Sequence, residues 1–256
     1  MDSSDDQVVH SFDSVYGHYE VVDLIYGDRP ARVLFSGNQE AAQSGVAKDN
    51  IPELLFDYNE RLLELSLELQ PNRILLIGGG VYTLPMALLK GLPEACIDVV
   101  ELDNALLPVA RKYFDLQPNS RLEVFHNHGR AYLSSTSRRY DLVIIDAFNH
   151  TDIPVELASV EAAQAIRELL KPNGVVALNI ISSYYGKNNA ITRNLWAAYQ
   201  DLFEHLRLSP ASNDQSLWLP LNLILQASDN QASLASLRYE ALPAITDVTK
   251  LDALRD

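Results

Sequence analysis

The chain has 256 residues, 47% of them hydrophobic, with 34 Asp and Glu against 20 Lys and Arg and a net charge of −14. That length suits one large α/β domain with a small appendage and a substantial core. The acidic balance argues against a nucleic-acid backbone as partner and is compatible with a cationic small molecule, or simply with a well-solvated surface. Cys96 is the single cysteine, so no internal disulfide can form; its apolar run reads as a buried strand and its solitude as that of a reducing compartment. The start, MDSSDDQVV, lacks the basic-then-apolar layout of a signal peptide, and no stretch approaches the ~18 apolar residues of a membrane span. The expected location is the cytoplasm, with no membrane partner.

In chain order, residues 1–10 are polar and are expected to be disordered. YGHYEVVDLIYG, a break at Gly27 to Pro30, and ARVLF form a β-hairpin pattern, followed by the loop-like GNQEAAQSGVAKDN. Residues 51–69 read as a helix, with Leu54, Leu55, Tyr58, Leu62, Leu65 and Leu69 on one face. Apolar strands and helices then alternate. The strands are Ile74 to Ile77, the run ending at Glu101, RLEVFH, YDLVIIDAF and VVALNII. Helices are expected after the glycines at 78–80, over 104–114 with Asn104 as N-cap, over 130–135, over 157–170 and over 192–205. Two last strands, near 206–208 and 219–226, are separated by SPASNDQS without a helix, which suits an antiparallel hairpin at a sheet edge. Alternation implies a parallel sheet with right-handed crossovers. The expected organisation is an N-terminal β-hairpin region (1–50), a connecting helix (51–70), a Rossmann-like nucleoside-binding domain (71–228) and a weakly patterned tail (229–256).

The strongest local signal is RILLIGGG, a strand ending in Gly78, Gly79 and Gly80 ahead of a helix, with Glu101 closing the next strand 21 positions after Gly80. Glycines there let a ligand lie against bare backbone, helix-start N–H groups face it, and the acid accepts from ribose hydroxyls. The dinucleotide form of the motif wants a glycine where Thr83 stands, so an adenosine ligand without pyrophosphate fits better than a nicotinamide cofactor. Ligands of open parallel sheets lie beyond the carboxyl ends of the strands. That directs attention to Glu101 with Asp103, His126 to Gly129, and Asp146 to Asn149. Asp146 directly follows LVII and projects from a rigid strand; the alternative is a cap for the next helix. His126, His128 and His150 lack cysteine or aspartate at ligand spacing, so no metal is expected. Tyr184 and Tyr185 line an acceptor pocket or pack under a loop, Trp196 and Trp218 read as core, and Ser182 and Ser183 lack a nucleophile elbow.

Together RILLIGGG, VVELD, YDLVIIDAF and LLKPNGVVALNI resemble the spermidine synthase (polyamine aminopropyltransferase) family over about residues 14–228. The YG of Tyr16 and Gly17, the QS of Gln43 and Ser44, and Tyr58-Asn59-Glu60 in place of a tyrosine-x-glutamate motif add to the likeness. The resemblance implies a Rossmann-like, S-adenosylmethionine-dependent methyltransferase-type sheet, parallel strands plus an antiparallel edge hairpin, preceded by the N-terminal hairpin. It implies propylamine transfer from decarboxylated S-adenosylmethionine to a small-molecule amine by a homodimer without a metal. By the same likeness Gly78, Gly79, Gly80, Glu101, His128, Gly129 and Gln43 hold the donor, Asp146 is catalytic, and Tyr58, Asn149 and Tyr16 meet the acceptor. The chain departs from the family pattern at Val81 and Tyr82, where GGGDG is usual, at His128 in place of an aspartate, and at Asn149 in place of a second aspartate. Asp57, Asp152 and Glu156 are candidate substitute acids. These departures leave open a different amine, S-adenosylmethionine itself as donor for methyl transfer, and a nucleoside-binding homologue without turnover.

Overall fold

The structure is a computed structural model that describes residues 6–37, 39, 41–49, 53–148, 153–186, 188–212, 216–235, 241–245 and 255. Residues 1–5, expected to be disordered, and Asn149, His150 and Asp152 lie outside the described residues. Four strands come first: β1 (Gln7–Ser14), β2 (Gly17–Tyr26), β3 (Arg29–Ser36) and β4 (Ala41–Ala47). They form one antiparallel sheet in the order β1-β2-β3-β4. The expected hairpin is its central pair. Two expectations are corrected here. Residues 7–10 are strand, because each pairs with or neighbours a residue of β2, and the loop-like segment contains β4, whose last four residues are buried. Small residues at 41–47 hid that strand: Gly45 is in a place where a Cβ would lie 3.0 Å from Leu55 and 3.1 Å from Val33.

The helix α1 (Asp57–Leu69) starts later than its apolar periodicity suggests. Leu54 instead bridges Val46, and Ala47 N–H donates to the Glu53 carbonyl at 3.2 Å, so the preceding residues are extended along β4. The alternating part of the chain follows as β5 (Arg73–Ile77), α2 (Thr83–Gly91), β6 (Cys96–Glu101), α3 (Leu106–Tyr113), β7 (Leu122–His126), α4 (Gly129–Ser135) and β8 (Tyr140–Ile145). The helix α3 begins after Asn104, since the Asp103 carboxylate accepts from Ala105 N–H at 2.9 Å and Asn104 is not the cap. The single helix expected over 157–170 is two, α5 (Val155–Ala158) and α6 (Val160–Leu169); buried Ser159 breaks it by accepting from Ala162 N–H at 3.2 Å. Then come β9 (Leu170–Ser182), α7 (Ala190–Gln200), β10 (His205–Pro210), β11 (Leu221–Ser228) and α8 (Gln231–Ala235). Beyond α8, Leu242 N–H donates to the Leu208 carbonyl at 2.8 Å, tying the tail to β10.

The second sheet has the order β10-β11-β9-β8-β5-β6-β7. Its five strands β5 to β9 are parallel, and β11 runs antiparallel to both β9 and β10, which is the expected methyltransferase-type sheet with its edge hairpin. The central strands are buried on both faces by two apolar clusters, one under α1, α2 and α3 and the other under α4 to α7. Continuous apolar runs such as RILLI and YDLVII are what two-sided burial requires. Cys96 is exposed rather than buried, because it is the first residue of β6 at the sheet's rim, and Trp218 is 65% exposed rather than core. Among the described residues no helix is long and apolar enough to cross a membrane.

Strand order reverses between β5 and β8, and their ends meet there. Ile77 pairs with Ile145, Asp146 N–H donates to the Ile77 carbonyl at 2.8 Å, and Gly78 N–H donates to the Val100 carbonyl at 2.9 Å. A Cβ on Gly78, whose φ is +96°, would lie 2.0 Å from the Asp146 carbonyl oxygen. Gly78→Ala is therefore expected to lower stability by roughly 2–4 kcal/mol, from the clash and the positive φ together, measured as a reduced midpoint in urea with an unchanged slope.

Candidate active site at the switch point

The glycine loop and Glu101 form one hydrogen-bonded unit. Glu101 ends β6, and its Oε2 accepts from Gly79 N–H at 2.7 Å and Gly80 N–H at 3.0 Å, while Oε1 accepts from Asp103 N–H at 2.8 Å. Burial pushes its carboxyl up, and the three backbone N–H groups hold it down. The amides of Gly79 and Gly80 are thus turned onto Glu101: a buried carboxylate needs donors, and these two N–H groups supply them. A carboxylate has about four acceptor positions, so Glu101 keeps roughly one for a ribose hydroxyl.

Tyr82 occupies the place below this loop. It is fully buried, adopts φ +63°, and its ring lies 3.2 Å from where a Cβ on Gly79 would be. A tyrosine in the left-handed region costs about 1–2 kcal/mol, which the buried ring offsets. Tyr19 reaches the other side from β2, its hydroxyl pushed up to about 12 by burial and by the neighbouring carboxylates of Asp103 and Glu101. The N-terminal sheet also touches the loop through Ser44 Oγ, 3.0 Å from Thr83 Oγ1. His128 is exposed, with Nε2 3.3 Å from Glu156 Oε1. Gly129 is buried where a Cβ would lie 2.6 Å from Ile77 Cγ2, so this glycine brings the start of α4 against β5.

Asp146 follows β8 directly. Its carboxylate accepts from Asn179 Nδ2 at 2.9 Å, and Asn179 Oδ1 accepts in turn from Asn222 Nδ2 at 3.0 Å. Burial pushes the Asp146 carboxyl up to about 6, with the Asn179 hydrogen bond acting against it. The Tyr58 hydroxyl is raised well above its ordinary range by burial and by the Asp146 charge, and it points to the Gln43 carbonyl at 3.5 Å. Gln43 donates its side-chain amide to Ser36 Oγ at 3.0 Å. Gln43, Tyr58, Asn179 and Asn222 line a cavity of about 310 Å³ between the two sheets, together with Phe56 and Phe148.

The structure thus brings Tyr58, Gln43 and Asp146 to one place, and Gly79, Gly80 and Glu101 to another beside it through the contact of Gly78 with Asp146. Tyr16 is at the β1–β2 turn, half exposed and apart from the cavity lining; Tyr26, at the far end of β2, lines it instead. Tyr184 is buried with its hydroxyl donating to the Pro243 carbonyl at 2.6 Å, and Tyr185 stacks near Trp218. Asn149 lies outside the described residues. Sequence reasoning missed Asn179 and Asn222, although an asparagine in the apolar run VVALNII was a visible signal: fully buried amides need partners. Among the described residues no group of three metal-ligating side chains converges.

Residues 55–205, more than half of the chain, match the spermine/spermidine synthase domain family. A polyamine aminopropyltransferase of Vibrio vulnificus is 32% identical over 135 residues, covering 51% of this chain and 45% of that protein. A human eEF1A lysine and N-terminal methyltransferase is 27% identical over 152 residues, covering 55% of this chain and 22% of that protein. The chain spans less than half the length of these curated relatives. Among solved structures, a probable spermidine synthase from Corynebacterium glutamicum superposes with a TM-score of 0.76 at 20% identity, over 88% of this chain and 81% of that one; at that identity the likeness concerns the fold. The reach of the family match, from α1 through the glycine loop, Glu101 and Asp146 into β10, shows that the chain belongs to the spermine/spermidine synthase domain family.

Proposed function

We propose that the protein transfers an aminopropyl group from decarboxylated S-adenosylmethionine to an amine. The observation that supports it best is Asp146: a carboxylate at a rigid strand end, raised to about 6, whose charge reaches Tyr58 and whose hydrogen-bond partner Asn179 lines, with Tyr58, the cavity between the two sheets. On this reading Glu101 takes a ribose hydroxyl, with Gly78 to Gly80, His128, Gly129 and Gln43 around the donor. Tyr58 faces the acceptor, as Asn149 would by the family likeness; Tyr16, apart from the cavity lining, takes no part in this reading.

The chemistry needs alignment and a proton acceptor. The amine nitrogen attacks the methylene carbon bonded to the sulfonium, the C–S bond breaks, and its electron pair returns to sulfur, leaving methylthioadenosine. An alkylammonium has a pKa of about 10.4, by analogy with lysine, so the acceptor loses a proton before or during attack. Asp146, ionised above about 6, takes or relays that proton and holds the nitrogen in line. Asn179 fixes the carboxylate's direction, and Asn222 fixes Asn179.

Methyl transfer from S-adenosylmethionine is the second reading. It is favoured by Val81, fully buried in the core at the loop position where the family pattern has an aspartate, so no carboxylate there meets a propylammonium. Calorimetric titration with decarboxylated S-adenosylmethionine, S-adenosylmethionine and methylthioadenosine separates the two. Tighter binding of the decarboxylated donor, with a product heavier by one aminopropyl group in mass spectrometry, is the expected result; preference for the carboxylated donor supports methyl transfer instead.

Asp146 also makes two pH predictions. As a proton acceptor it should cause kcat/KM to fall as pH drops below about 6, and Asp146→Asn should remove most of the turnover while retaining donor affinity. For stability the sign is opposite. A carboxyl raised on folding favours the native state most below its unfolded value of 3.8, and that contribution is lost as pH rises through about 6. Asp146→Asn is accordingly expected to raise stability at pH 7–8 by roughly 1–3 kcal/mol and to leave it little changed near pH 4, read as thermal midpoints at the two pH values.

A further inference from the structure

The outer face of the N-terminal sheet carries a set of side chains that aminopropyl transfer does not use. Alternation along β1 and β2 turns Phe12 and Tyr19 inward against the core and leaves Ser11, Asp13, His18 and Glu20 on the opposite face. Cross-strand register sets Asp13 directly opposite His18 and Ser11 opposite Glu20, so the imidazole lies diagonal to Ser11. His18 Nδ1 is 2.7 Å from Asp13 Oδ1, and His18 Nε2 is 3.1 Å from Ser11 Oγ. That is the order of nucleophile, base and orienting acid. An Nδ1–H donated to Asp13 selects the neutral tautomer whose Nε2 lone pair accepts the Ser11 O–H. The Asp13 hydrogen bond is also the first cause that raises the imidazole above its ordinary value, which makes it a stronger base. Glu20 Oε1 stands 3.8 Å from Nε2, and its other oxygen accepts from the Gln39 amide at 3.0 Å. A carboxylate there favours the imidazolium once a proton has arrived on it.

We propose that Ser11 is an acyl-accepting nucleophile, activated by His18 and oriented through Asp13, that takes a small acyl group from an activated ester or thioester. Ser11 Oγ attacks the acyl carbon while His18 Nε2 takes its proton. The bond from that carbon to the leaving oxygen or sulfur breaks, its electron pair stays with the leaving group, and Nε2 returns the proton there. The products are an O-acylated Ser11 and a free alcohol or thiol, with no change in oxidation state. Ser11 and Asp13 are exposed, so water solvates the oxyanion of the tetrahedral intermediate. This forgoes the ~10²–10³ that fixed donors supply and restricts the reaction to acyl groups on a good leaving group. Acylation at Ser11 and aminopropyl transfer share no residue, so either can fail without the other.

The probe is p-nitrophenyl acetate, given to the full chain at mildly alkaline pH. Acetylated serines are located by peptide mass spectrometry, and the rate at each is measured from a time course. Two exposed serines of the same chain serve as reference: Ser134 and Ser135 on α4 donate to the Arg130 and Ala131 carbonyls at 3.1 and 2.8 Å rather than to an imidazole. Ser11 is expected to be acetylated roughly 10²-fold faster than either, the lower end of what a positioned base contributes. His18→Gln should remove that advantage and Asp13→Asn part of it. Labelling of Ser11 no faster than of Ser134 and Ser135 overturns the proposal, as does a Ser11 rate that either substitution leaves unchanged. The comparison among serines of the unaltered chain does not depend on a variant folding.

Discussion

The arrangement rests on the close approach of two strand ends. Gly78 leaves β5 with a positive φ so that its bare Cα can lie against the Asp146 backbone leaving β8. No residue with a side chain fits between them. Because strand order reverses between these two strands, the contact sets the distance between the glycine loop on one side and the Asp146 carboxylate on the other. Gly129 does the same for the start of α4 against Ile77. Two missing side chains thus place three loops at one end of the sheet, where a rigid scaffold can hold reacting groups in line.

Buried charge determines the rest of the local structure. Glu101 lies in the protein interior and is made tolerable by three backbone N–H donors, so the loop folds onto the acid. Asp146 is treated differently: one amide hydrogen bond and considerable burial leave its carboxyl close to neutrality's edge at about 6. The two acids end strands on either side of β5, one held by three backbone N–H groups and the other by a single amide. Asp98 shows a purely structural alternative in the amino-terminal half of β6, where Arg73, Arg138 and Tyr140 surround a buried carboxylate.

The N-terminal sheet has a role beyond covering the core. Gln43 and Ser44 on β4, Tyr19 and Tyr26 on β2, and the extended residues before α1 all reach the end of the large sheet where the loops meet. The cavity lies at the junction, with more than half of its described lining contributed by residues before 60.

Much of this was readable from residues alone. Uninterrupted apolar runs mark strands buried on both faces, and a glycine run at a strand end marks a close approach of backbones, because both patterns are local consequences of backbone geometry. The edge hairpin was legible from a proline- and serine-rich link too short for a helix. Other features depended on contacts distant in sequence. β4, AAQSGVA, has one residue of strong strand propensity, Val46, and exists because it pairs with β3 and packs on Leu55. Ser159 breaks a helix that its periodicity continued, through a cap that only a buried hydroxyl at that spot can make. The amide chain from Asn222 through Asn179 to Asp146 spans residues 146 to 222, and Glu101 turning onto Gly79 and Gly80 joins groups 22 and 21 positions apart. Local pattern specifies which backbone each segment prefers; which polar atoms end up facing one another follows from strand order and from the need to satisfy every buried charge, and those are properties of the assembled fold.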